Sequence, residues 1–316
     1  MSTTKNAVLL DQGTLGAGVS LEAFHHLSVP LETYEQSGSE DVVDRCRDAV
    51  AIFTNKVVID EAALSSLPNL RYIGVLATGT NNIDLAACDI HGIRVQNVER
   101  YSTASVAQHA MALILSLAGY LPAYSRDAAN GTWAASDMFC LLDHPIIELE
   151  GKTLLIVGYG DLGKATARLA EAFGMKIMKA RVPGSGSGAE DRIELDEGLK
   201  EADVVSLHCP LIESTCNLID QRRLSLMKDS AILINTSRGG LVDEMALLTA
   251  LESGQLGAAG FDVLTEEPPV NGNPLLQQKS LPNLIVTPHC AWGSLESRQR
   301  LVNLAAQHFE QFLEGV

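Results

Sequence analysis

The sequence predicts an α/β protein built on a doubly wound parallel sheet, and three observations carry that expectation. A strand, a glycine turn, a helix and a second strand follow one another from Gly151 to Arg181. Short apolar strand candidates alternate with helical segments along the rest of the chain. Polar and charged side chains gather just past the strand candidates, where ligands bind in such sheets.

The first of these is the most informative stretch, GKTLLIVGYGDLGKATARLAEAFGMKIMKAR. Leu154 to Val157 is an apolar run of strand length. Gly158, Gly160 and Gly163 follow at GxGxxG spacing, and Lys176 to Ala180 is the next strand candidate. Between them, Lys164 to Phe173 carries an apolar face of Ala165, Leu169, Ala172 and Phe173. The first glycine allows a tight turn, the second keeps side chains away from a pyrophosphate, and the third lets the helix close on the strand. The helix N-terminus offers N–H groups and partial positive charge to phosphates. A dinucleotide site is therefore expected here.

Taken from the N-terminus, Ala7–Leu10 reads as a strand and Leu21–Leu27 as a helix. Ala49–Thr54 is a buried strand with Asn55 and Lys56 past its end, followed by a helical Ile59–Leu67. Arg71–Ala77 is a strand running into the loop Thr78 to Asp84, whose N–H groups suit a carboxylate. Ile93–Asn97 is one more strand. Ser102–Ala118 is helical and apolar on most faces, as a buried helix is. Its His109 reads as a hydrogen-bonded core residue. Asn130 to Glu150 is irregular and carries Trp133, Phe139 and Pro145. Val182 to Ala189 reads as a flexible loop. Glu194–Glu201 is a helix, Val204–Leu207 a strand ending in His208-Cys209-Pro210, and Gln221–Met227 a helix. Ala231–Asn235 is a strand ending in Thr236-Ser237-Arg238-Gly239-Gly240. A helix opens at Asp243 and stops before Gly254. Ala258–Val263 and Leu284–Thr287 are the last strands, and Leu295–Leu313 is a final amphipathic helix.

With 316 residues, 46% of them apolar, the chain has ample material for a core and for two domains. Its 23 basic and 39 acidic residues leave a net charge of −16. Such a surface repels nucleic acid and anionic lipid. No apolar run reaches the ~18 residues of a membrane span. The six cysteines have no finger or CxxC spacing, so no metal site is expected and reduced thiols in a cytoplasmic protein are.

Arg238, Glu267 and His289 lie at or just beyond the carboxyl ends of successive strand candidates. A guanidinium grips a carboxylate at two points, an imidazole moves a proton near neutral pH, and a carboxylate orients that imidazole. Beside a nicotinamide, those parts reduce a 2-keto acid.

In these residues the chain resembles the D-isomer-specific 2-hydroxyacid dehydrogenases. The matching pieces are GYGDLG at 158–163, HCPL at 208–211, NTSRGGLVDE at 235–244, AAGFDVLTEEPP at 258–269 and TPHCAW at 287–292. The stretch TWAASDMFCLLDHPIIELEGKTL is most similar to the glycerate dehydrogenase (hydroxypyruvate reductase) branch. The resemblance implies two Rossmann-like domains: a substrate domain, 1–100 rejoined by 290–316, and a dinucleotide domain, 101–289. It makes Arg238, Glu267 and His289 the catalytic set and Ala77, Thr78, Gly79 and Arg238 the substrate binders. It assigns NAD or NADP to Gly158, Gly160, Asp161, Leu162, Gly163, Arg181, Cys209, Pro210, Thr236 and Asp262. It also implies a homodimer and a small 2-keto or 2-hydroxy acid as substrate. Arg181 stands where an NAD site usually has an acid for the ribose hydroxyls, so NADPH is expected to be accepted. Rival readings are a nicotinamide-sensing corepressor-like binder and a phosphoglycerate dehydrogenase-like enzyme. A formate dehydrogenase would call for Gln at position 267.

Overall fold

Two all-parallel sheets form the frame of the protein. A computed structural model describes residues 6–184, 191–277 and 281–315. They divide into two compact units, 1–102 with 293–316, and 103–292.

The first unit holds β1 (Asn6–Leu9), β2 (Leu31–Thr33), β3 (Ala49–Thr54), β4 (Tyr72–Val75) and β5 (Arg94–Asn97), in the order β2-β1-β3-β4-β5. Consecutive side chains of a strand point to opposite faces, and here both faces are covered. Val8, Ile52, Ile73 and Val75 pack with Val42, Cys46, Leu64 and Cys88 on one side. On the other, Phe53 and Tyr72 meet Phe24 and Phe309, with ring centroids 4.7 Å apart for Phe24–Phe53 and 5.1 Å for Tyr72–Phe309. Phe309 belongs to the last helix, Leu295–Leu313, so the chain's end closes the sheet made by its beginning.

The second unit holds β6 (Thr153–Val157), β7 (Lys176–Ala180), β8 (Val204–Leu207), β9 (Ile232–Asn235), β10 (Ala258–Phe261) and β11 (Leu284–Val286), ordered β11-β10-β9-β8-β6-β7. From β6 the chain steps outward to β7 and then returns to β8 on the opposite side. The crevice for a ligand lies at that reversal, beyond the carboxyl ends of β6 and β8. Leu155, Val157, Val205, Leu207 and Leu233 face the helices Leu195–Glu201 and Glu244–Glu252. The alternate residues Leu154, Ile156, Val204 and Ile234 face Thr103–Ala118 and Asp161–Ala172. Strands buried on both sides read as continuous apolar runs, which is why they were legible.

The glycine-turn helix departs from the expected face. It starts at Asp161 and buries Gly163, Thr166, Ala167 and Ala170, while Phe173 is exposed. Small residues face the sheet because the helix is pressed against it: a Cβ on Gly163 would stand 2.2 Å from the Gly158 carbonyl oxygen. The periodicity of larger apolar residues therefore marks the wrong stripe. Strand β2 and the helices Leu85–His91 and Leu121–Ala129 have no counterpart in the sequence reading. Of the expected loop Val182 to Ala189, residues 185–189 lie outside the described residues. No single described helix is long and apolar enough to cross a membrane.

Candidate active site

The turn after β6 is shaped by backbone. Gly158 has φ +102°, and a Cβ there would meet the His208 and Cys209 backbone at 2.6 Å. No such obstacle faces Gly160, whose Cβ would enter open space. An ordinary packed turn would press on all three glycines; here the middle one alone borders a void. The N-cap residue of the helix that begins at Asp161 is Gly160, which has no side chain to cap it. Around the crevice, His208 Nδ1 and Thr236 Oγ1 are buried without a hydrogen-bond partner among the described residues. Burial pulls the His208 imidazole down to about 4, so it is neutral at pH 7, and pushes the Cys209 thiol up to about 11. Open space beside Gly160, a neutral imidazole and unpaired polar atoms fit a dinucleotide. Leu162 is half-buried on the first helical turn, and Pro210 is exposed at the crevice lip.

Arg181 follows β7. Its Nε lies 2.9 Å from Glu194 Oε1, so the guanidinium already has an anionic partner. A 2′-phosphate would have to share or displace that carboxylate.

Arg238 follows β9. It is exposed, and its backbone carbonyl accepts the Asn235 side-chain N–H at 2.8 Å. Next to it, a Cβ on Gly239 would lie 2.0 Å from the Leu264 carbonyl carbon. The Arg238 loop and the segment carrying Glu267 thus touch backbone to backbone. Glu267 Oε1 accepts the Leu264 N–H at 2.8 Å, and its Oε2 lies 2.7 Å from His289 Nδ1. With Nδ1 donating to the carboxylate, Nε2 is left to exchange a proton with a bound molecule. Both side chains are about one-third exposed, at 32% each.

His289 sits in the left-handed region at φ +51°, a conformation that costs a non-glycine residue about 1 kcal/mol or more. Asp262 holds it there. Its backbone carbonyl accepts the His289 N–H at 2.8 Å, and its carboxylate accepts Cys290 N–H at 2.9 Å and Ala291 N–H at 2.8 Å. Asp262 is 1% exposed. Its carboxylate also accepts the Thr287 hydroxyl at 2.6 Å, so in this structure it shapes the turn presenting His289.

In the other unit, the Ala77-Thr78-Gly79 loop follows β4. Val98 N–H bonds the Ala77 carbonyl at 3.0 Å and Asn97 bonds that of Thr78 at 2.6 Å, while the N–H groups of Thr78 and Gly79 have no acceptor among the described residues.

Sequence reasoning passed over Glu244, whose Oε1 accepts the Thr265 N–H and whose Oε2 accepts the Asn273 side chain, both at 2.8 Å. It steadies the loop containing Glu267. An acid on a helix's first turn carries no signal of such reach. His109 and Thr287 were likewise missed as neighbours of the site.

Fold and site define a nicotinamide-dependent oxidoreductase. The profile of the D-isomer specific 2-hydroxyacid dehydrogenase NAD-binding domain matches residues 111–291, and the chain belongs to that family. It is 43% identical to a glycerate dehydrogenase of Methylorubrum extorquens over 314 residues, covering 99% of this chain and 97% of that protein. A hydroxypyruvate reductase of Blautia hydrogenotrophica is 40% identical over 279 residues, 87% of this chain and 86% of its own. Among solved structures, a D-lactate dehydrogenase of Aquifex aeolicus with NAD and lactic acid superposes with a TM-score of 0.82. It is 30% identical, covering 98% of this chain and 96% of that one.

Proposed function

We propose that the protein reduces a small 2-keto acid, hydroxypyruvate or glyoxylate, to the D-2-hydroxy acid with NADH or NADPH, and catalyses the reverse. The observation that carries this reading is the 2.7 Å His289–Glu267 pair beyond the carboxyl ends of β11 and β10. The names of the two relatives above support the substrate choice. A reduced nicotinamide, when bound, would supply a hydride, one proton together with two electrons, to the carbonyl carbon. Arg238 holds the substrate carboxylate and polarises the carbonyl, and Ala77, Thr78 and Gly79 are the further substrate binders that the family resemblance implies. His289 enters reduction protonated and gives its Nε2 proton to the forming alkoxide; in oxidation it enters neutral and takes that proton back. Glu267 fixes the tautomer and the ring orientation by accepting the Nδ1 proton. On this reading Gly158, Gly160, Asp161, Leu162 and Gly163 hold the pyrophosphate. Cys209, Pro210 and Thr236 line the dinucleotide crevice, and Asp262 serves the nicotinamide side. The unit 103–292 is the cofactor domain, the other the substrate domain, and the six free thiols suit a reducing, cytoplasmic setting.

A panel of hydroxypyruvate, glyoxylate and bulkier 2-keto acids, run with each nicotinamide at equal low concentration, tests this. Loss of 340 nm absorbance with hydroxypyruvate or glyoxylate is expected. NADPH should reach a kcat/KM within about tenfold of NADH, because Arg181 meets the 2′-phosphate with a cation. A preference for NADH above about a hundredfold would remove Arg181 from that role, and no oxidation with any keto acid would remove the enzyme reading.

A homodimer is part of the same reading. Trp133, Met138, Phe139, Leu142 and Ile146 are exposed on one irregular segment, Phe139 at 94%. Clustered exposed apolar side chains mark an interface, and a second copy of this chain is the partner the family resemblance suggests. Phe139→Glu is expected to shift sedimentation from dimer toward monomer. A wild-type monomer at micromolar concentration would overturn the assignment.

A further inference from the structure

We propose that His109 is a positioning residue of the active site, acting on His289 through Thr287 and Asp262. The inference rests on the reading of His289 as the acid–base group.

The helix Thr103–Ala118 lies close along β10. A Cβ on Gly260 would meet Leu113 Cβ and Leu117 Cδ1 at 3.1 Å each, so the missing side chain on β10 is what admits the helix. His109 precedes Leu113 by four residues and shares its face. While Leu113 and Leu117 pack on the middle of β10, His109 reaches past its carboxyl end. There its Nε2 lies 3.0 Å from Thr287 Oγ1 and 3.6 Å from Asp262 Oδ1.

Proton counting fixes the direction of these bonds. The Thr287 hydroxyl has one proton and stands 2.6 Å from an Asp262 oxygen that, as a carboxylate, only accepts. Thr287 therefore donates to Asp262, and His109 must carry its proton on Nε2 and donate to Thr287. The chain runs imidazole N–H to hydroxyl to carboxylate. The carboxylate end is the group that clamps the backbone on the C-terminal side of His289. Hydrogen bonds linked in this way polarise one another.

Cys290 Sγ, His109 and Asp262 offer ligand atoms within 4.8 Å of one another, as a metal site would. The Thr287 hydroxyl accounts for that grouping instead. It bridges His109 to Asp262, and it and the Cys290 N–H both bond the same Asp262 oxygen.

Replacing the imidazole by an apolar group of similar size removes the donor and leaves Thr287 Oγ1 facing carbon. Thr287 is then free to leave the rotamer that serves Asp262, and the left-handed turn at His289 loses part of its clamp. Small errors in placing a catalytic group are expensive in rate. His109→Leu is expected to lower kcat for keto-acid reduction about tenfold, with the KM values for cofactor and substrate within about twofold and no loss of thermal stability. His109→Gln, which keeps an N–H for Thr287, should recover to within about threefold of wild type. In a Thr287→Val background, His109→Leu should change little further, because the relay is already cut. A wild-type kcat for His109→Leu, or a His109→Gln no better than His109→Leu, would overturn the proposal. His289→Ala, run alongside, separates the two levels. If it keeps a wild-type kcat, the acid–base reading has failed; if its kcat falls about 10³-fold while His109→Leu is silent, only the role of His109 has.

Discussion

His289→Ala is expected to lower kcat for keto-acid reduction about 10³-fold while the dissociation constant of NADH, read by fluorescence titration, moves less than about twofold. The asymmetry follows from where the imidazole is attached. Its Nδ1 is committed to Glu267 Oε2 at 2.7 Å, so only Nε2 meets the substrate. Removing the ring leaves the forming alkoxide without a proton donor, which raises the barrier by ~4 kcal/mol at the usual conversion. The glycine turn after β6 is untouched: Gly158, Gly160 and the helix from Asp161 belong to a different strand end. Cofactor affinity lost along with turnover would mean that His289 holds the nucleotide rather than the proton. Wild-type turnover would end the acid–base assignment.

Arg238→Ala is expected to reduce kcat/KM about 10²- to 10⁴-fold, with both a higher KM and a lower kcat. A charged hydrogen-bond partner of a carboxylate is worth about 1.5–3 kcal/mol per bond, and a guanidinium makes two in one plane. Arg238→Lys should recover only part of this, since an ammonium keeps the charge but not the fork. The change in kcat distinguishes polarisation of the carbonyl from simple anchoring; a mutant altered in KM alone would restrict Arg238 to binding. The substitution is expected to be well tolerated by the fold. Arg238 is exposed, and its structural contacts are made by its backbone carbonyl and by the short bond from Nη1 to the Ser237 carbonyl at 2.7 Å.

Much of this was legible in the sequence because the second sheet is buried on both faces. Val204–Leu207 stands where its apolar run places it, the half-buried edge strand Lys176–Ala180 stands where the strand–helix–strand spacing places it, and Asp243, expected to open a helix, caps it by accepting the Met245 and Ala246 N–H groups. The pairing of His289 with Glu267 was readable as two motifs but not as a distance. What escaped had weak local signals. Strand β2 has three residues with an exposed pattern and exists because β1 offers it an edge. The helix after Gly160 hides its face in Gly163, Thr166, Ala167 and Ala170, which no count of large apolar residues selects. His109 looked like a core residue because its neighbours along the helix are apolar; its partner Thr287 is 178 positions away, beyond any local pattern.

The aromatic closure of the first unit bears on how the protein is made. Phe309, fully buried, covers Phe53 and Tyr72, while the strands bearing those rings are translated early. On a ribosome adding about 5–20 residues per second, that sheet waits with one greasy side bare until the whole second unit has been synthesised and the terminal helix leaves the exit tunnel. The N-terminal unit is thus the last to finish folding, and a nascent chain cut short between the end of the second unit and the final helix carries every strand of the second sheet but leaves its forerunner sticky and incomplete.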